Sequence, residues 1–270
     1  MRRGPHRPFQ RPLILAAALT LLLGGTGFSE TKKSFEPIVY TAPPETHFGG
    51  APSVLVIGDS LTVGGFGDHL QAFLSRRIPA SKLCLYASCG SSPENWLPET
   101  PIFITPCGFR LVSPKKNFST KYHNGNKPKK VATPKLNQIL TRFRPRLIIV
   151  QQGTNWMDHL MKSYDPKGPT YKAIIRSFIR ELRSRGPVQI IWVLPPDASK
   201  YRPAIKDSVD RWIKESARDL NFQTIDSRAL TSRYIPGKSG SDGVHLSDSA
   251  ASEWATAVTK RLKNLSPAFQ

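Results

Sequence analysis

The sequence predicts an α/β fold, a parallel sheet covered by helices on both faces in three layers. Two observations carry that expectation. From Ser53 onward, short strand-like runs alternate with longer amphipathic stretches, the order that builds strand–helix–strand units. The runs are also continuously apolar and rich in β-branched residues, as in "VLVI" at 54–57 and "LIIV" at 147–150. Strands that read this way are buried on both faces.

Taken in order, strands are expected at 53–57, 82–88, 146–152, 188–194 and 222–226, and helices at 66–77, 134–143, 170–185, 203–219 and 249–264. Phe66, Leu70 and Phe73 repeat at helical spacing and belong in the core. Thr133-Pro134 reads as a helix start and Gly186-Pro187 as a helix stop. From 91 to 133 the pattern fails: Pro, Asn, Gly and Lys accumulate without periodicity. This stretch reads as a long basic loop inserted in the domain, and loops of that length are functional or disordered.

The chain opens with Arg2, Arg3, Arg7 and Arg11, followed by an uncharged stretch around "LILAAALTLLLGG" and the small residues Gly25, Gly27 and Ser29. Basic region, short apolar core and small residues are the layout of a cleavable secretory signal over 1–29. An uncleaved membrane tether is the alternative. Residues 30–52, with Pro and Gly but no sustained periodicity, read as a linker, leaving 53–270 as one domain. A periplasmic or extracellular protein of the cell envelope is therefore expected, with no stable membrane span once the leader is removed.

The formal charge of +20 falls to +16 when the four leader arginines are set aside. Such an excess favours anionic surroundings, and export makes nucleic acid the least attractive of them. Three cysteines in an oxidising compartment permit one bridge. Cys89 and Cys107 flank the start of the long loop and are the expected pair, with Cys84 buried and free in a strand; three packed thiols are the alternative. Cysteine and histidine spacing matches no metal site, and no metal or cofactor is expected.

Chemistry gathers at the strand ends. "GDS" at 58–60 ends the first strand, "SCGSS" at 88–92 follows the second, and "QQGTNWMD" at 151–158 ends the third. "DGVH" at 242–245 lies in a Gly/Ser-rich loop before the last helix. A serine hydroxyl becomes a nucleophile only beside a base, commonly a histidine oriented by a carboxylate. The oxyanion it generates needs preorganised donors. Ser60, His245 and Asp242 can supply the first set. The Ser60 and Gly90 amides and the Asn155 side chain can supply the second. Asp59 is expected to hold the turn, Asp158 ranks below Asp242 as orienter, and His6, His47, His69, His123 and His159 are read as structural.

In that order, GDS, Gly90, GTN and DGVH resemble the GDSL/SGNH hydrolase family over residues 53–264. The resemblance implies a flavodoxin-like sheet and a cofactor-free serine esterase of the lipase and O-acetylesterase type. Ser60 would be the nucleophile, His245 the base and Asp242 its orienter, with Ser60, Gly90 and Asn155 as the oxyanion hole. The family commonly has Asp after the Asn; here it is Trp156, which is expected to alter the wall beside the hole. Trp96 is the candidate for a sugar- or acyl-contacting aromatic. Lys127, Lys129 and Lys130 are candidates for gathering an acylated anionic glycan. An O-acyltransferase with the same three residues and a non-catalytic binder of anionic envelope polymer remain as alternatives.

Overall fold

The computed structural model describes residues 53–121, 126–162, 168–231 and 234–269. The expected leader and linker, with His6, His47 and His123, lie outside the described residues. A seven-stranded sheet forms the centre: β1 (Val54–Gly58), β2 (Leu83–Ser88), β3 (Gly108–Val112), β4 (Asn117–Lys121), β5 (Leu147–Gln151), β6 (Gln189–Val193) and β7 (Gln223–Ile225). Its order is β4-β3-β2-β1-β5-β6-β7. The five strands anticipated from sequence are the parallel ones, in the flavodoxin-like order β2-β1-β5-β6-β7.

The helices are α1 (Ser60–Val63), α2 (Gly65–Ser75), α3 (Leu136–Arg142), α4 (Thr154–Lys162), α5 (Gly168–Leu182), α6 (Pro203–Leu220) and α7 (Asp248–Leu265). Alternation along β1 divides the core. Leu55 and Ile57 join the cluster that includes Leu136, Met157, Phe178 and Val209 of α3 to α6. Val54 and Val56 join Phe66 and Leu70 of α2 and Trp254 and Val258 of α7. The central strands β1, β2 and β5 therefore have no solvent-facing side, which is why they read as unbroken apolar runs.

The stretch 91–133 corrects the loop expectation. It contains β3 and β4, an antiparallel hairpin that pairs with β2 and extends the sheet. In β4 burial alternates, with Asn117, Ser119 and Lys121 exposed and Phe118 and Thr120 half-buried. A five-residue strand at a sheet edge, facing solvent on one side, offers little apolar signal. Helix ends differ as well. Thr133 does not cap α3; its hydroxyl instead meets that of Ser88 at 2.6 Å, and Lys135 takes the cap position. Helix α5 ends at Leu182, before Gly186-Pro187. Cys89 and Cys107 are bridged and Cys84 is buried and free, as expected. Among the described residues no helix is long and apolar enough to cross a membrane.

Candidate active site

Strand register assembles the site. Gly58 lies between Ala87 of β2 and Gln151 of β5, so Ser60, Gly90 and Asn155 emerge two to four residues beyond one row. Because β1 has its sequence neighbour on one side and β5 on the other, the chain reverses its winding there, and ligands bind at that crevice.

The Gly-Asp-Ser turn follows from close packing. A β-carbon on Gly58 would sit 2.2 Å from the Thr62 side chain, so glycine is required for α1 to fold back onto the strand. Asp59 caps α1 by accepting from the Leu61 amide at 2.9 Å, which confirms its turn-holding role. Thr62 donates to Gln151 Oε1 at 2.8 Å, and the Gln151 amide lies 3.4 Å from Asp59 Oδ2. Burial pushes the Asp59 carboxyl up to about 6; the Leu61 amide, Thr154, His245 and Gln151 pull the other way and only moderate the rise. Ser60 is the first residue of α1, where an amide has no intrahelical acceptor. Ser60 keeps 9 % of its surface exposed.

His245 reaches Ser60 through the packing of α2 on α7. Phe66 and Trp254 stack at 3.8 Å between these helices, and His69 meets Asp248 at 3.2 Å. His245 Nε2 lies 3.0 Å from Ser60 Oγ, and Nδ1 lies 2.6 Å from Asp242 Oδ2. Asp242 Oδ1 also accepts from the amides of Val244 (2.9 Å) and His245 (2.7 Å). Partial burial opposes its charge, but these donors and the imidazole outweigh it and hold the carboxyl at about 2. Tyr234 braces the loop, its hydroxyl donating to the His245 carbonyl and accepting from the Gly243 amide. Asp158 does not orient His245; it pairs with Lys200 at 2.6 Å, and the Lys200 amide donates to the Gly243 carbonyl.

Opposite Ser60, residues 88–91 form a turn closed by the Ser91 amide on the Ser88 carbonyl at 3.1 Å. Gly90, with φ of 84°, occupies the position that needs the left-handed region. Asn155 donates from Nδ2 to the Ser91 carbonyl at 2.8 Å. An amide nitrogen carries two hydrogens, so this bond fixes the plane and leaves the second for a ligand. Ser91 is the hub that sequence reading missed: its hydroxyl accepts from Trp96 (3.2 Å) and Gln152 (3.3 Å) and donates to the Ser88 carbonyl. Two glutamines closing an otherwise apolar strand are the one sequence signal of this buried polar layer.

Both tryptophan assignments are corrected. Trp96 is fully buried with its indole on Ser91, and Trp156 is fully buried with its indole donating to Glu94 at 2.9 Å. Trp156 packs edge-on against Tyr171. Neither presents a face to a substrate; together they brace the Gly90 turn and the first turn of α4, which carries Asn155, from behind. The half-buried aromatic beside Gly90 is Phe103, whose Cζ lies 3.5 Å from where a Gly90 β-carbon would be. Lys127, Lys129 and Lys130 are exposed, near the β4 edge. Among the described residues no three His, Cys, Asp or Glu side chains cluster as metal ligands would.

Chemically, the arrangement can pass a proton from a serine hydroxyl to an imidazole whose other nitrogen is held by a carboxylate, beside three potential oxyanion donors. A model of the GDSL-like lipase/acylhydrolase family matches residues 54–258. The fold is similar to a lipase/acylhydrolase from Enterococcus faecalis, at 16 % identity and a TM-score of 0.50, covering 78 % of this chain and 96 % of that one. It is also similar to an acetylxylan esterase from Geobacillus stearothermophilus, at 17 % identity and a TM-score of 0.51, covering 79 % and 95 %. No curated protein sequence matches the chain.

Proposed function

The chain belongs to the GDSL-like lipase/acylhydrolase family and is an ester hydrolase, and from that premise we propose that it is an exported esterase in which Ser60, His245 and Asp242 act as a catalytic triad. The observation that carries this is His245, bonded at once to Ser60, 185 residues away in sequence, at 3.0 Å and to Asp242 at 2.6 Å.

His245 Nε2 takes the Ser60 proton as Oγ attacks the ester carbonyl, while Asp242 fixes the tautomer and stabilises the imidazolium. The oxyanion is received by the Ser60 and Gly90 amides and the free Asn155 hydrogen. The alcohol leaves with the proton from His245, giving an acyl-enzyme. Water, deprotonated by the same imidazole, then releases the acid. Tautomer control follows from Asp242: with both oxygens accepting, it can only receive the Nδ1 proton, so Nε2 is left as the base.

Export is supported by the Cys89–Cys107 bridge, a bond that persists in oxidising compartments. Envelope glycans carrying O-acetyl groups are the proposed substrates, a reading that draws on the acetylxylan esterase likeness and on the basic charge.

Labelling with a serine-directed fluorophosphonate, wild type against Ser60→Ala and His245→Ala, tests the triad. Label and turnover of a small acetate ester are expected in wild type only; undiminished turnover by folded Ser60→Ala would defeat it. Repeating the reaction with an acceptor sugar separates hydrolysis from acyl transfer, since transfer yields acetylated sugar in place of free acetate.

A further inference from the structure

Between Glu99 and Asp158 the chain has eleven basic residues and no acidic one. Folding disperses them. Arg110 is buried against Asp68 and Gln71, and the Lys135 ammonium is consumed by the Asn95 and Pro101 carbonyls and the Thr100 hydroxyl, each at 2.9 Å. Register puts Leu85 opposite Val112 and Ser88 opposite Phe109, so the β3–β4 turn bearing Lys115 and Lys116 lies at the sheet end remote from Ser60. Arg142, Arg144 and Arg146 precede β5 at that same remote end. Lys121 is at the site end but lies 3.6 Å from Asp68. Only Lys127, Lys129 and Lys130 are left exposed near the site edge, with no acidic partner among the described residues.

These three sit on a strap tied to the Gly90 turn. Lys129 donates its amide to Thr120 Oγ1 at 2.8 Å. Thr105 donates to the Val131 carbonyl and Thr133 to the Phe103 carbonyl, while Ile104 bridges Ala132. Thr133 meets Ser88, Thr105 Oγ1 donates to the Cys89 carbonyl, and Cys89 is bonded to Cys107. Phe103 thus stands against Gly90 on a pinned segment, next to Ile102, which is 58 % exposed. At roughly 3.3 Å per extended residue, Lys130 is about 10 Å of chain from Thr133 and Lys127 about 20 Å. The three charges therefore lie within about 20 Å of chain from the end of the strap that is tied to the Gly90 turn.

We propose that this strap is a subsite for an extended acidic polysaccharide: Phe103 contacts the sugar bearing the ester, and Lys127, Lys129 and Lys130 hold the anionic groups of the units beyond it. Three exposed cations on one short strap beside an aromatic match the repeated charges of a polyanion, with the apolar ring face of a sugar against Phe103. An anionic membrane fits less well, because burying the single side chain of Ile102 yields only a few kcal/mol, short of what stable anchoring needs. The subsite rests on the esterase reading only for what Ser60 does to the bound polymer.

The test uses the full chain with Ser60→Ala, titrated with polygalacturonate, with neutral dextran and with phosphatidylglycerol vesicles at low and high salt. Polygalacturonate is expected to bind, more weakly as salt screens the exposed lysines. Adding Lys127→Gln, Lys129→Gln and Lys130→Gln should weaken it roughly tenfold or more and flatten the salt dependence, with the thermal midpoint retained. Phe103→Ala should weaken binding without flattening it. Undiminished affinity in the triple variant, equal affinity for dextran, or preference for vesicles would overturn the proposal. Turnover of a small neutral acetate ester by wild type reads the esterase assignment separately. Turnover without polygalacturonate binding rejects the subsite alone, and binding without turnover rejects the esterase reading alone.

Discussion

The bond between Cys89 and Cys107 adjoins the Gly90 amide, and replacing both cysteines with alanine separates its two consequences. The bridge spans 18 residues, a loop whose closure entropy corresponds to about 3 kcal/mol. For a domain of this size each kcal/mol moves the thermal midpoint by roughly 2–4 °C, so a fall of about 6–12 °C is expected by calorimetry. Catalysis should respond differently. Losing a whole oxyanion donor costs roughly 10²–10³ in kcat, but the turn is held by other bonds too. The Cys89 amide still donates to the Gly108 carbonyl at 2.9 Å, and Thr105 still donates to the Cys89 carbonyl at 3.0 Å. A partial misplacement, about tenfold in kcat, is the expected result, with KM unchanged because the donor acts on the transition state. Steady-state kinetics on a small ester, well below the lowered midpoint, is the assay, and reductant should reproduce the effect in wild type. A lowered midpoint with unchanged kcat would refute the reasoning: the bridge would then stabilise the domain without positioning Gly90.

Asn155→Ala should lower kcat by roughly 10²–10³ with little change in KM; a loss confined to KM, seen in the same kinetics, would make Asn155 a ground-state contact. Asp242→Asn keeps an acceptor for the Val244 and His245 amides but turns an N–H toward Nδ1, favouring the tautomer protonated on Nε2. Turnover should drop by about 10⁴ with the circular dichroism spectrum preserved. Asp59 holds its proton more tightly in the folded state, its carboxyl rising from 3.8 to about 6, so the folded protein binds more protons between those values and stability falls as pH rises through them. The cost above pH 6 is at most about 3 kcal/mol. Asp59→Asn should flatten the decline of the thermal midpoint between pH 4 and 6, leaving the part due to Asp210, which burial also raises to about 6; an unchanged slope would show that Asp59 is not the group titrating.

The parallel sheet was legible because strands such as Val54–Gly58 and Leu147–Gln151 are apolar on both faces, a demand that burial writes directly into composition. Ser60, Gly90, Asn155, Asp242 and His245 were legible because backbone geometry constrains their neighbours: a glycine that Thr62 must approach, a left-handed turn at Gly90, a polar loop before α7. The hairpin of β3 and β4 was not, since Asn117–Lys121 forms an edge strand whose pairing depends on β3, and β3 on β2. Nor could sequence tell which face a tryptophan presents; Trp96 and Trp156 became braces because Ser91 and Glu94, distant or unremarkable in the chain, accept their indoles. The basic run shows the division most clearly. Sequence determined eleven like charges in one segment, but pairing and strand direction buried two, sent five to the far end of the sheet and set one beside Asp68. Three were left near the site, because charge is a property of residues, whereas its field depends on where the backbone's hydrogen bonds carry them.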